Sequence, residues 1–243
     1  MTAAFPMPVR CRSFQLPKGG NRAEELEDAV AGDSARGVFA VADGASDSIC
    51  ADVWAKLLAE EFVANPPGNL AAWAAWLAPL RRRWWDDVRA RSLPWPAEHK
   101  LAAGAGATLV GLEIRPDATW TATAVGDSCL FQVRSGELIV KFPLSRSDEF
   151  DNHPPLVGTR TVPVDCEPRD LRGGWLAGDE LWLMTDALAH WFLKECEIGQ
   201  SPAPQLRDLL DLPTPDQQAA RIMQWRQTQH LRNDDFTCTL IEI

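Results

Sequence analysis

The chain has 243 residues, 24 Lys and Arg against 34 Asp and Glu, a formal charge of −10 and 46% hydrophobic residues. That length buries a full core without staples, and the acidic balance excludes a general nucleic-acid binder, which needs a basic patch to displace counterions. The six Cys are scattered with no C-x-x-C pair, which excludes a zinc ribbon or disulfide framework and suits a reducing cytoplasm.

The chain opens on MTAAFPMPVRCRSF, where Pro6 and Pro8 interrupt what would be the apolar core of an export peptide. The longest apolar stretch, Leu70 to Leu80, runs into Arg81, Arg82 and Arg83 and falls short of the roughly 20 residues of a membrane span. No repeat or boundary divides the chain, so residues 1–243 read as one domain without a membrane partner. Val38–Ala42 reads as a buried strand stopping at Asp43-Gly44. Ala51–Ala64 has helical spacing at Val53, Leu57, Leu58 and Phe62 and stops before Pro66-Pro67. Asn69 is placed to cap a second helix running towards Arg91, with Trp73, Trp76, Leu77, Leu80 and Trp84 on one side and Pro79 as an expected kink or break. Thr108–Ile114, Trp120–Val125, Leu130–Val133 and Glu137–Phe142 are short β runs whose close spacing predicts an antiparallel meander. Pro143 to about Gly174 is rich in Pro, Asp, Gly and Arg, and a long loop of this kind is often functional. Leu181–Thr185 is another strand, ending at Asp186; helical patterns follow at Ala187–Cys196, Pro204–Leu210 and Pro215–His230, and Phe236–Ile243 closes the chain as a strand. Strands and helices mix without strict βαβ alternation, which gives an α+β layered sandwich. Eleven Trp with no Tyr read as compositional bias and core filling.

The informative pattern is where the acids fall. Asp43, Asp127, Asp186 and Asp234 each lie at the edge of a predicted strand, and Glu27-Asp28 begins another apolar stretch. Taken singly, an Asp-Gly pair is a turn signal and Glu27-Asp28 a solvated pair. Taken together, carboxylates at strand ends can converge on one rim, where they would repel unless a cation intervened. All-oxygen ligands suit magnesium or manganese, and two such ions about 3.5–4 Å apart can activate a shared water for in-line attack on phosphorus.

The ordered set resembles the metal-dependent protein phosphatases of type 2C, in their bacterial branch. That family carries E-D-A, V-x-D-G, G-x-T, V-G-D-S-R, T-D-G and D-N/D-x-T elements. Here stand Glu27-Asp28-Ala29, Val41-Ala42-Asp43-Gly44, Gly106-Ala107-Thr108, Val125-Gly126-Asp127-Ser128, Thr185-Asp186-Ala187 and Asp234-Asp235-Phe236-Thr237, in order over nearly the whole chain. The resemblance implies a four-layer α-β-β-α sandwich with two central antiparallel sheets. It also implies hydrolysis of phosphoserine and phosphothreonine in proteins, by water activated at a pair of manganese or magnesium ions. Carried over residue by residue, Asp43 would bridge the two metals and Gly44 would offer its carbonyl. Glu27 would be a direct or water-mediated ligand, with Asp28 orienting water behind it. Asp186 and Asp234 would hold the other metal, and Asp127 with Asp186 a third, weaker one. Asp235, where the family often has Asn, ranks below Asp234.

The sequence also departs from the family. The phosphate-binding Arg is expected four residues before Glu27, at Ala23; Arg22 is one residue off, and a one-residue loop difference makes it the candidate phosphate ligand. Cys129 replaces the Arg of V-G-D-S-R and Ala187 the Gly of T-D-G, while Ala45-Ser46-Asp47-Ser48 follows Gly44 in place of Gly-His-Gly-Gly. Residues 143–161 lie where members place a flap that varies and can choose substrate. Of the four His (99, 153, 190, 230), none has metal-ligand spacing to another, and only His153 in the flap is a candidate general acid against the blander reading of a surface loop residue. Cys129 reads as a small core residue, Arg81–Arg83 with Trp84 and Trp85 as a solvated helix face, and Arg169 and Arg172 as a basic loop beside the flap. The expectation is a cytoplasmic serine/threonine phosphatase opposed by a kinase. The alternative is a pseudophosphatase that binds a phosphoprotein or scaffolds a kinase without turnover, favoured by the altered Arg region and opposed by the complete carboxylate set.

Overall fold

The computed structural model describes residues 9–91, 101–151, 153–160, 167–228 and 231–243, so that His99, Asn152, Thr161 and His230 lie outside the described residues. In chain order the strands are β1 (Arg10–Leu16), β2 (Ala29–Asp33), β3 (Val38–Gly44), β4 (Gly106–Ile114), β5 (Thr119–Val125), β6 (Cys129–Arg134), β7 (Glu137–Phe142), β8 (Val157–Gly158), β9 (Arg169–Gly174), β10 (Glu180–Met184) and β11 (Phe236–Glu242). The α-helices are α1 (Ala51–Ala64), α2 (Trp73–Arg89), α3 (Asp186–Glu197), α4 (Ala203–Leu210) and α5 (Pro215–Thr228).

The strands form two antiparallel sheets, one ordered β1-β11-β10-β6-β7 and the other β2-β3-β4-β5-β9 with β8 paired to β4. Period-two alternation explains how each central strand serves two cores. On β3, Phe39 and Val41 pack between the sheets, while Ala40 and Ala42 face the helices α1 and α2. On β10, Leu181 and Leu183 join the inter-sheet core, while Trp182 and Met184 meet α3, α4 and α5 on the far side. A sheet covered on both faces needs apolar residues at every position, so these strands read as continuous hydrophobic runs. The outcome is the four-layer α-β-β-α sandwich. Trp54, Trp84, Trp120, Trp182 and Trp191 are fully buried, in keeping with a core-filling role.

Four expectations need correction. The four middle strands are not one meander: β4 and β5 pair in one sheet, β6 and β7 in the other. The chain changes sheets at Gly126-Asp127, where Gly126 has φ +91, a conformation that turns the chain out of β5's plane. Pro79 does not split α2, because its side chain and Ala75, whose carbonyl it leaves without an intrahelical donor, are both exposed to water. Asn69 caps a 3-10 turn (Leu70–Ala72) that leads into α2, its Oδ1 accepting from the Ala72 amide at 3.0 Å. Finally, residues 143–174 are not one loop, since they carry a 3-10 turn (Ser147–Glu149), β8 and β9.

Candidate active site

Asp43 ends β3, Asp127 stands in the turn between the sheets, Asp186 opens α3 directly after β10, and Asp234 precedes β11. The four come from different strand ends, and the antiparallel order brings those ends to one rim. There they line a cleft of about 720 Å³ together with Gly44, Ser46, Thr108, Asp151, His153 and Arg232.

The electrostatics show how closely they converge. Asp43 is held well above the usual carboxylate range, by burial first and then by the charges of Asp28, Asp186, Asp127 and Asp234. Asp127 is pushed up to about 7 by burial and by Asp186. Asp186 is raised by burial and by Asp234, although the Ala187 amide donates to its Oδ1 at 2.5 Å. Behind this front Asp28 is buried and pushed up to about 8, mainly by burial. Its Oδ2 accepts from Thr185 Oγ at 3.0 Å.

The donor set fits a hard divalent cation. The buried oxygens Asp28 Oδ1 and Asp127 Oδ1 have no hydrogen-bond partner among the described residues, and such orphans are costly unless something else satisfies them. Among the described residues, no three His, Cys, Asp or Glu side chains form a ready-made cage around one point. A rim of this kind suits magnesium or manganese, which keep several waters, better than an ion that needs a closed protein cage.

Other sequence candidates fall in different places. Glu27 is half-buried beside the cleft, its Oε2 accepting from Ser46 Oγ at 2.5 Å with Lys18 Nζ at 3.7 Å, and burial raises its carboxyl. Asp235 is a latch: its two oxygens accept from the backbone amides of Lys18 at 2.8 Å and Glu27 at 2.7 Å. Arg22 is exposed and borders a separate depression with Gly20, Glu24 and Glu25. Cys129 is fully buried and its thiol is raised by burial, as a core residue's would be. Arg81 is not on a solvated face: it is buried, and its Nε donates to the Gly158 carbonyl at 3.0 Å. Arg169 and Arg172 lie on β9, paired with β5, and do not line the cleft. Arg232 is the functional candidate that the sequence reading passed over. Its only signal was a position two residues before Asp234.

No protein-family model matches the chain, and no curated protein does. Solved structures do. PppA of Pseudomonas aeruginosa, described as a key regulatory component of T6SS, is 22% identical with a TM-score of 0.62, over 97% of this chain and 98% of that one. The catalytic domain of the serine/threonine phosphatase PstP, in complex with two manganese ions, is 20% identical with a TM-score of 0.62, over 96% and 97%; another structure of PstP is from Mycobacterium tuberculosis. The serine/threonine phosphatase Stp1 of Staphylococcus aureus is 17% identical with a TM-score of 0.65, over 100% and 98%. The fold is that of the bacterial type 2C serine/threonine phosphatases, as the ordered motifs implied.

Proposed function

We propose that this chain is a divergent type 2C phosphatase that hydrolyses phosphoserine and phosphothreonine in proteins at the acidic cleft. The observation that carries the reading is the convergence of Asp43, Asp127, Asp186 and Asp234 in one cleft of this fold, with Asp43 under the charge of the other three. Asp43, Asp186 and Asp234, with the Gly44 carbonyl, would hold two manganese or magnesium ions; Asp127 with Asp186 would offer a weaker third place. When bound, the ions supply an activated water and neutralise phosphoryl oxygens. Asp28, anchored by Thr185, orients water from behind. Glu27, restrained by Ser46 and Lys18, acts at the edge and through water. Exposed His153 stands at the cleft wall, its amide donating to Asp151 Oδ1 at 2.7 Å, where it can protonate a departing serine or threonine oxygen. Asp151, His153, Pro154 and Leu156 of the expected flap line the cleft, and this segment would vary the substrate fit. The opposing enzyme would be a serine/threonine kinase. Among the described residues no helix is long and apolar enough to cross a membrane, and Cys11, Cys50, Cys129, Cys196 and Cys238 are free thiols, which supports a cytoplasmic setting.

The test is release of phosphate from a phosphothreonine peptide. Activity should require added Mn²⁺ or Mg²⁺, vanish in EDTA and recover poorly with Zn²⁺, because the cleft offers oxygen rather than Cys and His donors. Full activity in metal-stripped protein would refute the mechanism. Metal-dependent phosphopeptide binding without turnover would favour the pseudophosphatase reading, to which the outward placement of Arg22 lends its support.

A further inference from the structure

The cleft is lined by acids, yet the ligand it is proposed to take is a dianion. Once divalent cations offset the carboxylates, orienting a phosphate still calls for a donor of fixed geometry, and a guanidinium suits this because it can bind two phosphate oxygens at once. Among the described residues lining the cleft, Arg232 is the only Arg or Lys. Its side chain is exposed, and no hydrogen bond or ion pair to a described residue engages its guanidinium. It shares the cleft lining with Asp43, Asp127, Asp186 and Asp234. It therefore stands near the acids without being consumed by any of them. Two flanking residues hold its loop: Asp235 accepts the Lys18 and Glu27 amides, and Asn233 Oδ1 accepts the Gly19 amide at 2.7 Å. Arg22 stands elsewhere, beside Glu24 and Glu25.

We infer that Arg232, not Arg22, is the residue that receives the phosphoryl oxygens of a phosphate monoester in this cleft. The inference rests on the proposed function for its site, but it concerns anion binding and can be tested without turnover. In this chain the guanidinium comes from the loop before β11, which Asn233 and Asp235 bond to the loop before β2.

The experiment titrates inorganic phosphate into the manganese-loaded protein by calorimetry and measures KM for a phosphothreonine peptide. Arg232→Ala should weaken phosphate binding and raise KM about tenfold, and Arg232→Lys should recover part of the loss, because an ammonium is a point charge. Manganese affinity should hold or tighten in Arg232→Ala, because the variant removes a positive charge near the metal-binding acids. That result separates a phosphate ligand from a residue that merely supports the metal site. Arg22→Ala should match wild type in both measurements. Equal phosphate affinity in wild type and Arg232→Ala, or no phosphate binding by the manganese-loaded wild type, overturns the inference. Phosphate binding that depends on Arg232 in a protein without turnover would sustain it while the hydrolase reading fell.

Discussion

Asp43 lies under the charges of Asp28, Asp127, Asp186 and Asp234, so its removal tests the site most directly. On the proposed reading, Asp43→Ala or Asp186→Ala should lower kcat by a factor of about a thousand or more, because each withdraws charge that would hold the cations. The metal-free melting temperature should hold or rise in the same variants, since one member of a self-repelling cluster is gone. Steady-state kinetics at saturating Mn²⁺ and a melt in EDTA check the pair of outcomes; near-normal turnover in Asp43→Ala would mean that the cations bind elsewhere. The neighbouring pair Asp234-Asp235 divides two roles that look alike in one dimension. Asp235 is buried with both oxygens accepting backbone amides, whereas Asp234 faces the cleft. Asp235→Ala should destabilise the fold by about 1–3 kcal/mol in a denaturant titration, because two amides lose their acceptor. Asp234→Ala should instead weaken Mn²⁺ binding and leave the unfolding midpoint of the metal-free protein nearly unchanged. The reverse assignment of effects would show that the loop is read in the wrong register.

Among the elements, the crossing between sheets does most to build the site. Gly126 has φ +91, and a Cβ there would lie 2.5 Å from Thr108 Cγ2 and 2.8 Å from the Pro155 carbonyl oxygen. Gly126→Ala should therefore cost about 1–3 kcal/mol through backbone strain and overlap. The crossing also aims Asp127 into the cleft, so the same variant should lose affinity for a third metal ion more than for the first two. Calorimetric stoichiometry with Mn²⁺ reads this, and a wild-type isotherm would remove Asp127 from the ligand set. The helices rest on a similar close approach. A Cβ at Gly111 of β4 would fall 2.2 Å from Phe62 Cζ, so this glycine is what lets the Phe62 ring of α1 lie flush on the sheet.

For the molecule as a whole, a cluster of carboxylates gathered at one end makes stability depend on protons and, on the proposed reading, on metal. Asp28, Asp43, Asp127 and Asp186 all have raised values in the folded protein, Asp28 to about 8 and Asp127 to about 7. The folded state therefore binds more protons than the unfolded chain across that range, and this contribution is complete below the ordinary carboxylate value and lost as pH rises through the folded values. Metal-free protein should melt at a higher temperature at about pH 6.5 than at about pH 8. The opposing group is His190, which burial lowers from 6.5, and it erodes stability only as pH falls below that value. Divalent cations compete with the same protons, so Mn²⁺ should raise the melting temperature more at about pH 8 than at about pH 6.5. Equal melting temperatures at both pH values in EDTA would mean that these carboxyls remain ionised and unstrained when the protein folds.

Much of this was legible from residue order, and the parts that were not share a cause. The buried strands Val38–Ala42 and Leu181–Met184 and the helix Ala51–Ala64 announce themselves, because an element covered on one or both faces must carry its apolar pattern in its own sequence. The acids at strand ends were legible for a similar local reason: a strand stops where polar residues begin. The edge strands β1 (RCRSFQL) and β9 (RDLRGG) were not legible, since a half-exposed edge needs only a partner's backbone and little hydrophobic signal. Partner choice was not legible either. That β5 and β6 leave each other for different sheets depends on the distant strands each pairs with, and the Gly126 turn makes the crossing possible without announcing it. The sequence by itself determined the ordered acids, the layered α+β class and the resemblance those imply. Only the tertiary structure decided that Asp235 ties two loops, that Arg22 turns to another surface and that Arg232 enters the cleft, because side-chain direction at a loop follows from the contacts of distant segments and leaves no periodicity in the chain.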